Sequence, residues 1–186
     1  MRCLALLLTL ALIDIACAGK SEGEQHVAGS ARQAPARQKH DPCSLITKEE
    51  MSQATGEQFT EAKSENGSDS CVYLSADASV ASAEVSSTWD GAESRAMIPA
   101  MKAGAEITKV TPGAADAMIS GLGDQAMFAM YALTVRKGDA AFVIRLNLPS
   151  RLSRSMRQEG IKGSQQYADD ILAMDKALAD KALTRL

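Results

Sequence analysis

Histidine is nearly absent from this sequence. Of 186 residues only His26 and His40 are histidines, and neither lies in the region from 41 to 186. A region without histidine cannot hold a Ser/His/Asp triad, a Cys/His pair or a histidine zinc site. Between residues 41 and 186 the motifs GxSxG, HExxH, SxxK and GxxxxGK are missing as well. We therefore expect no catalytic residues, no metal site and no cofactor, and we predict that the protein is not an enzyme.

Aromatic residues and excess positive charge are also scarce. Phe, Trp and Tyr make up 4% of the chain, so its core must be built mainly from aliphatic residues, Met and Ala. The region 41–186 carries 15 basic and 20 acidic residues, a net charge of −5. Because nucleic-acid binding demands a clustered positive face, this balance argues against a nucleic-acid partner.

The N-terminal apolar run is too short to cross a membrane. It extends from Leu4 to Ile13, ten residues, before Asp14 interrupts it, whereas a spanning helix needs about 20 apolar residues. One cation at Arg2, a short apolar core and small residues afterwards are the layout of a signal peptide. We expect residues 1–18 to be a signal segment and the protein to be exported to the cell envelope or beyond.

Two processing chemistries overlap at the end of this segment. Ala16-Cys17-Ala18 fits ordinary signal peptidase, with cleavage after Ala18 and release to the periplasm or medium. Asp14-Ile15-Ala16-Cys17 resembles a bacterial lipobox in which Cys17 is acylated, although Asp14 stands where a leucine-like residue is usual. Residues 19–40 are too polar to fold and are typical of a tether. We favour lipidation at Cys17 and a membrane partner through that anchor.

Cysteine use points to the same compartment. Of the four cysteines, Cys3 lies in the signal segment and Cys17 at its end, which leaves Cys43 and Cys71, 28 residues apart. In an oxidising compartment one disulfide is the simplest interpretation. A metal or redox pair is the alternative, and the chain contains no CxxC to favour it.

Local patterns predict helices and strands from residue 41 to 186. Thr47 and Glu50 have capping-box spacing and Gly56 supplies a stop, so a short helix should lie between them. Further helices are expected from near Gly91, with Pro99 kinking or ending that helix, and over 164–186. Alternating or apolar segments predict strands at 70–75, 80–89, 106–110, 125–136 (one bent or two short) and 140–148, with a hairpin turn at 137–139. The fold class is α+β: one domain with an antiparallel sheet of about five strands and helices packed on one face.

Two short motifs have competing interpretations. The run from Gly121 to Ala126 satisfies GxGxxA, but without a strand before it and a helix after it we interpret it as a tight turn with Asp124 bonding the backbone. Arg151, Arg154, Arg157 and Lys162 form the only basic run of the domain. On a short helix they could contact an acidic partner, phosphate head groups or an anionic polymer, and a solvated connection is the alternative.

These pieces resemble a family of secreted bacterial lipoproteins, of actinobacterial type, with a domain of unknown function. The matching segments are Asp41-Pro42-Cys43-Ser44-Leu45-Ile46-Thr47, Cys71 within a strand, the glycine turn from Gly121, the segment from Leu133 to Asp139 and the C-terminal helix. The resemblance implies a Cys43–Cys71 disulfide and a surface-anchored, non-enzymatic role. Tyr73 stands where that family has a tryptophan.

The sequence thus favours an envelope lipoprotein with a non-catalytic binding domain. Its partner would be another envelope protein or a small apolar or lipidic molecule held between sheet and helices. An exported enzyme that uses carboxylate chemistry and a structural surface protein without a ligand are the alternatives.

Overall fold

Seven strands and four helices occupy the part of the chain that the structure, a computed structural model, describes: residues 40–64, 69–77, 79–107 and 117–186. The predicted signal segment, Cys17 and the tether up to residue 39 lie outside these ranges. In chain order the elements are a 3-10 turn (Pro42–Ser44), α1 (Lys48–Thr55), β1 (Phe59–Ser64), β2 (Ser70–Ser75), β3 (Ser82–Thr88), α2 (Gly91–Ile107), β4 (Ala117–Ile119), β5 (Gln125–Ala129), β6 (Ala132–Lys137), β7 (Ala140–Asn147), α3 (Pro149–Glu159) and α4 (Ile161–Leu183).

The strands form one antiparallel sheet in the order β1-β2-β3-β7-β6-β5-β4. The central pair is β3 with β7, where Val85 lies opposite Ile144. This confirms the α+β class, whereas the expected number of about five strands was too low. The sequence analysis missed β1, in which only Phe59 is buried, and β4, which has three residues.

Helices cover both faces of the sheet, so the prediction that they share one face was wrong. Residues of α4 pack with Phe128, Leu133 and Ile144 in the main core. In α2, Ile98 and Met101 pack against Met127 and Ala129, which alternate with the first set and lie on the opposite face. Both faces of β5 and β6 are therefore buried.

The predicted capping box and stop of α1 are confirmed. The Thr47 hydroxyl accepts a hydrogen bond from the Glu50 amide (3.2 Å), and the Thr47 amide donates to Glu50 Oε2 (2.9 Å). Gly56 ends the helix with a φ of 70°. Ile46 and Met51, on either side of the box, are fully buried. The first turn of α1 is consequently held in place by the hydrogen bonds of the capping box and by the burial of Ile46 and Met51 in the core.

The second helix is longer than its sequence indicated. Asp90 caps it, because its Oδ1 accepts from the amides of Ala92 (2.8 Å) and Glu93 (3.1 Å). Pro99 lies inside the helix, which continues to Ile107. Proline removes one helical hydrogen bond, but the contacts of Ile98 and Met101 with the sheet hold both sides of it in place. The predicted strand at 106–110 is wrong for its first two residues, and the other three lie outside the described ranges.

A disulfide joins Cys43 to Cys71, with their Cα atoms 4.9 Å apart. It connects the 3-10 turn to β2 and confirms the pairing inferred from the sequence. Beside it, the buried Tyr73 hydroxyl donates to the carbonyl of Ile46 at 2.6 Å. A disulfide of this kind favours an oxidising compartment, since cytosolic thiols are kept reduced.

Candidate functional site

A pocket of about 530 Å³ lies at one end of the sheet, where β2 ends, β3 begins and β7 ends. Three other elements close around it: the turn between β5 and β6, α3, and α4. The lining residues are Val72, Leu74, Ser82, Ala83, Glu84, Met130, Tyr131, Arg145, Leu146, Asn147, Leu152 and Tyr167. Its volume is within the range of sites that enclose a small molecule.

The pocket reaches around the end of the sheet rather than lying on one face. Glu84 and Arg145 are register partners and belong to the face that also carries α2. Ala83 and Leu146 are the neighbouring partners and lie on the face covered by α4. The pocket thus joins a half-exposed polar surface to the margin of the main core.

One wall is a two-residue turn with an unfavourable backbone. Ala129 and Ala132 pair across it, and the intervening Met130 and Tyr131 have φ values of 51° and 57°. Two-residue turns with positive φ at both positions normally use Asn-Gly or related pairs. For residues with a large side chain this conformation costs about 1 to 2 kcal/mol each. The turn therefore places two bulky side chains in the pocket at a cost in stability, which is typical of functional sites.

Two tyrosines make the apolar end of the pocket. The rings of Tyr131 and Tyr167 lie 5.5 Å apart in a tilted arrangement. The Tyr167 hydroxyl accepts a hydrogen bond from the amide of Leu148 (3.3 Å), the residue that precedes α3. Burial raises the pKa of Tyr167, so its hydroxyl stays neutral at physiological pH. The Tyr167 ring therefore brings no charge to this end.

The polar end of the pocket lies on the face of the sheet that also carries α2. Arg145 Nη1 lies 3.4 Å from Glu84 Oε2, and Ser70 donates to Glu84 Oε1 at 3.1 Å. The Asn147 amide nitrogen donates to the Ser82 hydroxyl (3.2 Å). Glu84 is the single carboxylate among the described residues that line the pocket. A pair of carboxylates like that of most glycosidases is therefore not found among the described residues of the pocket lining.

The glycine motif forms the tight turn that the sequence indicated. Gly121 and Gly123 have φ values of 84° and 55°, and a Cβ at Gly123 would lie 2.4 Å from the carbonyl oxygen of Arg136. Asp124 accepts from the Gly138 amide at 2.8 Å and so joins this turn to the β6–β7 hairpin. The motif lies outside the pocket.

The structure separates the four residues of the basic run. Arg151 bonds within the chain: its Nε donates to Glu57 Oε1 (3.2 Å) and its Nη2 donates to the carbonyl of Thr55. It therefore ties α3 to the end of α1. Arg154, Arg157 and Lys162 are exposed on α3 and the start of α4. None of the four lines the pocket, and their predicted contact with an anion or partner stays a prediction.

Sequence reasoning missed the residues that build the pocket. Arg145 and Tyr131 are 14 positions apart, and only the pairing of β6 with β7 brings them to one place. The one available signal was the hairpin itself, in which the two residues between Ala129 and Ala132 are large. In the described part of the chain no helix is long and apolar enough to cross a bilayer, and no group of three or more His, Cys, Asp or Glu side chains is arranged for a metal ion.

Comparisons of the chain with protein-family models, with curated proteins and with solved structures found no match. The resemblance to secreted lipoproteins therefore stays a prediction, and the function must be argued from the site.

Proposed function

We propose that this protein is an exported, envelope-anchored binding protein that holds a small lipidic molecule in the pocket at the end of its sheet. The observation that carries the proposal is the Met130–Tyr131 turn. Its strained backbone places two large apolar side chains in a pocket of about 530 Å³. A turn selected for stability alone would use residues that tolerate positive φ.

The shape and chemistry of the pocket support an amphipathic ligand. Tyr131, Leu152 and Tyr167 supply an apolar end, and Arg145 with Asn147 supplies a polar one. Binding sites for small molecules combine an apolar lining with a few placed polar groups in this way. The signal segment predicted from the sequence and the Cys43–Cys71 disulfide support a role in the envelope, where lipidic molecules are abundant.

Blocking the pocket tests the proposal. Val72 is half-buried on β2 and lines the pocket, so Val72→Trp should fill it without disturbing the main core. The matched control is Ser86→Trp, on the same face of the sheet but outside the pocket lining. We expect the purified protein to bind a fluorescent long-chain fatty acid, the control to bind it equally and Val72→Trp to lose most of the affinity.

Two results would contradict the proposal. One is a wild-type protein that shows no saturable binding of any single-chain lipid and retains no ligand in native mass spectrometry. Equal loss of binding in both variants would place the ligand outside the pocket.

A further inference from the structure

We infer that the pocket takes a single-chain amphiphile with a carboxylate head group, which Arg145 binds while the chain lies against Met130, Tyr131 and Tyr167. This inference rests on the proposed function and adds the chemical class of the ligand. It is carried by the hydrogen-bonding capacity that remains at the polar end of the pocket.

Donors are in excess at that end. Both Glu84 oxygens already accept, one from Ser70 and the other from Arg145. Arg145 uses only Nη1 in this pair, so within the described part of the chain its Nε–H and Nη2–H groups have no acceptor. A ligand that supplies two acceptor oxygens can bind both of these groups, whereas a cationic head group would be repelled by the adjacent guanidinium of Arg145.

The free donors have the geometry of a carboxylate site. Nε–H and the adjacent Nη2–H of a guanidinium point in parallel and match the two oxygens of a planar carboxylate. Arg145 keeps 58% of its side chain exposed, so a head group can reach this edge from solvent. Glu84 holds the other side of the guanidinium and thereby orients the free edge.

The apolar end of the pocket indicates that the rest of the ligand is a hydrocarbon chain. Met130 is 43% exposed and lies beside α2, since a Cβ at Gly104 would be 3.7 Å from its terminal methyl carbon. Tyr131 and Tyr167 continue the apolar surface toward the core. The volume of about 530 Å³ suits one hydrocarbon chain with its head group at the open end.

The test compares ligands that share one chain length and differ in head group: an alkanoic acid, the alcohol, the primary amine and the alkyl phosphate, each titrated by calorimetry below its micellar concentration. We expect the acid to bind about tenfold more tightly than the alcohol, a modest factor because the guanidinium is partly exposed. Arg145→Gln should remove that difference, chiefly by lowering the affinity for the acid. Arg145→Lys, which keeps the charge and loses the planar edge, should restore only part of it.

The matched control is Arg95→Gln, which breaks a surface ion pair with Asp139 outside the pocket and should change none of the affinities. The inference is overturned if acid and alcohol bind alike, if the amine binds best, or if the phosphate binds as tightly as the acid and Arg145→Lys is fully active. In each of those cases the proposed function still stands if Val72→Trp abolishes the binding that is observed. If none of the four ligands binds, the proposed function fails with the inference.

Discussion

Asp175 carries a buried carboxyl group without a hydrogen-bond partner among the described residues. Its side chain lies on the core-facing side of α4 between Ile171 and Leu178 and is fully buried. Neither of its oxygens has a hydrogen-bond partner within the described residues. Burial raises the pKa of Asp175 well above its ordinary value of 3.8. Asp175 therefore lowers the free energy of unfolding at any pH at which its carboxyl group is ionised in the unfolded chain.

We predict that Asp175→Leu raises the stability at neutral pH. In the native protein the folded-state pKa is the higher one, so the folded state holds more protons and the free energy of unfolding falls as pH rises from about 4 through the folded-state pKa. Removing a buried polar group without a partner should add about 1 to 3 kcal/mol. Urea unfolding between pH 4 and 8 measures both the gain and the flattened pH dependence.

The exposed Asp180 of the same helix is the control, because Asp180→Asn should change neither the stability nor its pH dependence. If Asp175→Leu destabilised the protein more at pH 7 than at pH 4, the carboxyl group would have a partner that favours its charged form.

Glu50 shows the opposite shift. Arg185 makes two hydrogen bonds with its oxygens, at 2.7 and 2.8 Å, and also donates to the carbonyl of Leu45. The Arg185 side-chain bonds are the main cause that lowers the pKa of Glu50 from 4.5 to about 2. One carboxylate thus closes the capping box of α1 and ties the C-terminal end of the chain to it.

We predict that Glu50→Gln lowers the stability by about 1 kcal/mol at pH 7 through loss of the ion pair with Arg185, since glutamine can still close the capping box. Because the folded-state pKa is depressed, the stabilising effect is present above pH 4.5 and disappears as pH falls toward 2. Thermal unfolding at pH 7 and at pH 2.5 should therefore show a difference that shrinks with acid. Glu49→Gln alters the adjacent, far more exposed glutamate and should have little effect on stability. If both variants lost the same amount of stability, Glu50 would have no special role.

At the scale of an element, the conformation of the β5–β6 turn lowers the stability of the domain and shapes the pocket. Met130 adopts a positive φ. Its side chain is 43% exposed, so a substitution at this position removes little packing. We predict that Met130→Asn stabilises the domain by about 1 kcal/mol, since Asn tolerates this conformation. The same variant should bind the alkanoic acid less tightly, because it removes part of the apolar wall.

Met118 provides the matched comparison. It is 59% exposed on β4, where the backbone is extended and φ is negative. Met118→Asn should leave stability unchanged or slightly lower it and should leave binding intact. A Met130→Asn protein that is no more stable than wild type would show that the turn stores no strain.

Elements with a local signal could be predicted from the sequence, and those fixed by distant contacts could not. Thr47 with Glu50 marked α1, and the alternation of Phe142, Ile144 and Leu146 marked β7. Strand β1 offers no alternation because only Phe59 is buried, and it exists through its pairing with β2. Residues 126–129 and 132–135 are buried at every position. Strands without alternation of apolar and polar residues indicate a sheet that is covered on both faces. The pocket had no such signal, since Arg145 and Tyr131 meet only through strand register.

At the scale of the whole molecule, the Cys43–Cys71 disulfide joins the entry of the domain to the interior of its sheet. It closes a segment of 28 residues that contains α1 and β1. We predict that Cys43→Ala with Cys71→Ala lowers the free energy of unfolding by about 3 to 4 kcal/mol, the loop entropy expected for this length. Equilibrium unfolding with and without reductant measures the loss, and reductant should change only the wild-type protein. An unchanged midpoint in the double variant would mean that the bond does not constrain the unfolded chain.

The entry of the domain also has an aromatic contact that bears on how it is attached. His40, the first described residue, stacks on Trp89 with ring centroids 3.9 Å apart. The contact therefore holds the residue at which the predicted tether ends against the end of β3.

We predict that Cys17→Ser shifts the protein from the membrane fraction to the soluble fraction while the folded domain stays intact. Acylation at Cys17 would supply more than one chain, and two anchoring signals give stable attachment where a single chain is marginal. Intact mass of the wild-type protein should show a chain that begins at Cys17 and carries lipid, with two hydrogens fewer than the reduced form for the Cys43–Cys71 bond. A mature chain that begins at Gly19 without lipid, and a Cys17→Ser protein that fractionates like wild type, would replace the anchored protein with a freely released one. The pocket and its carboxylate preference would be unaffected by that outcome, because Arg145, Tyr131 and Tyr167 all belong to the folded domain.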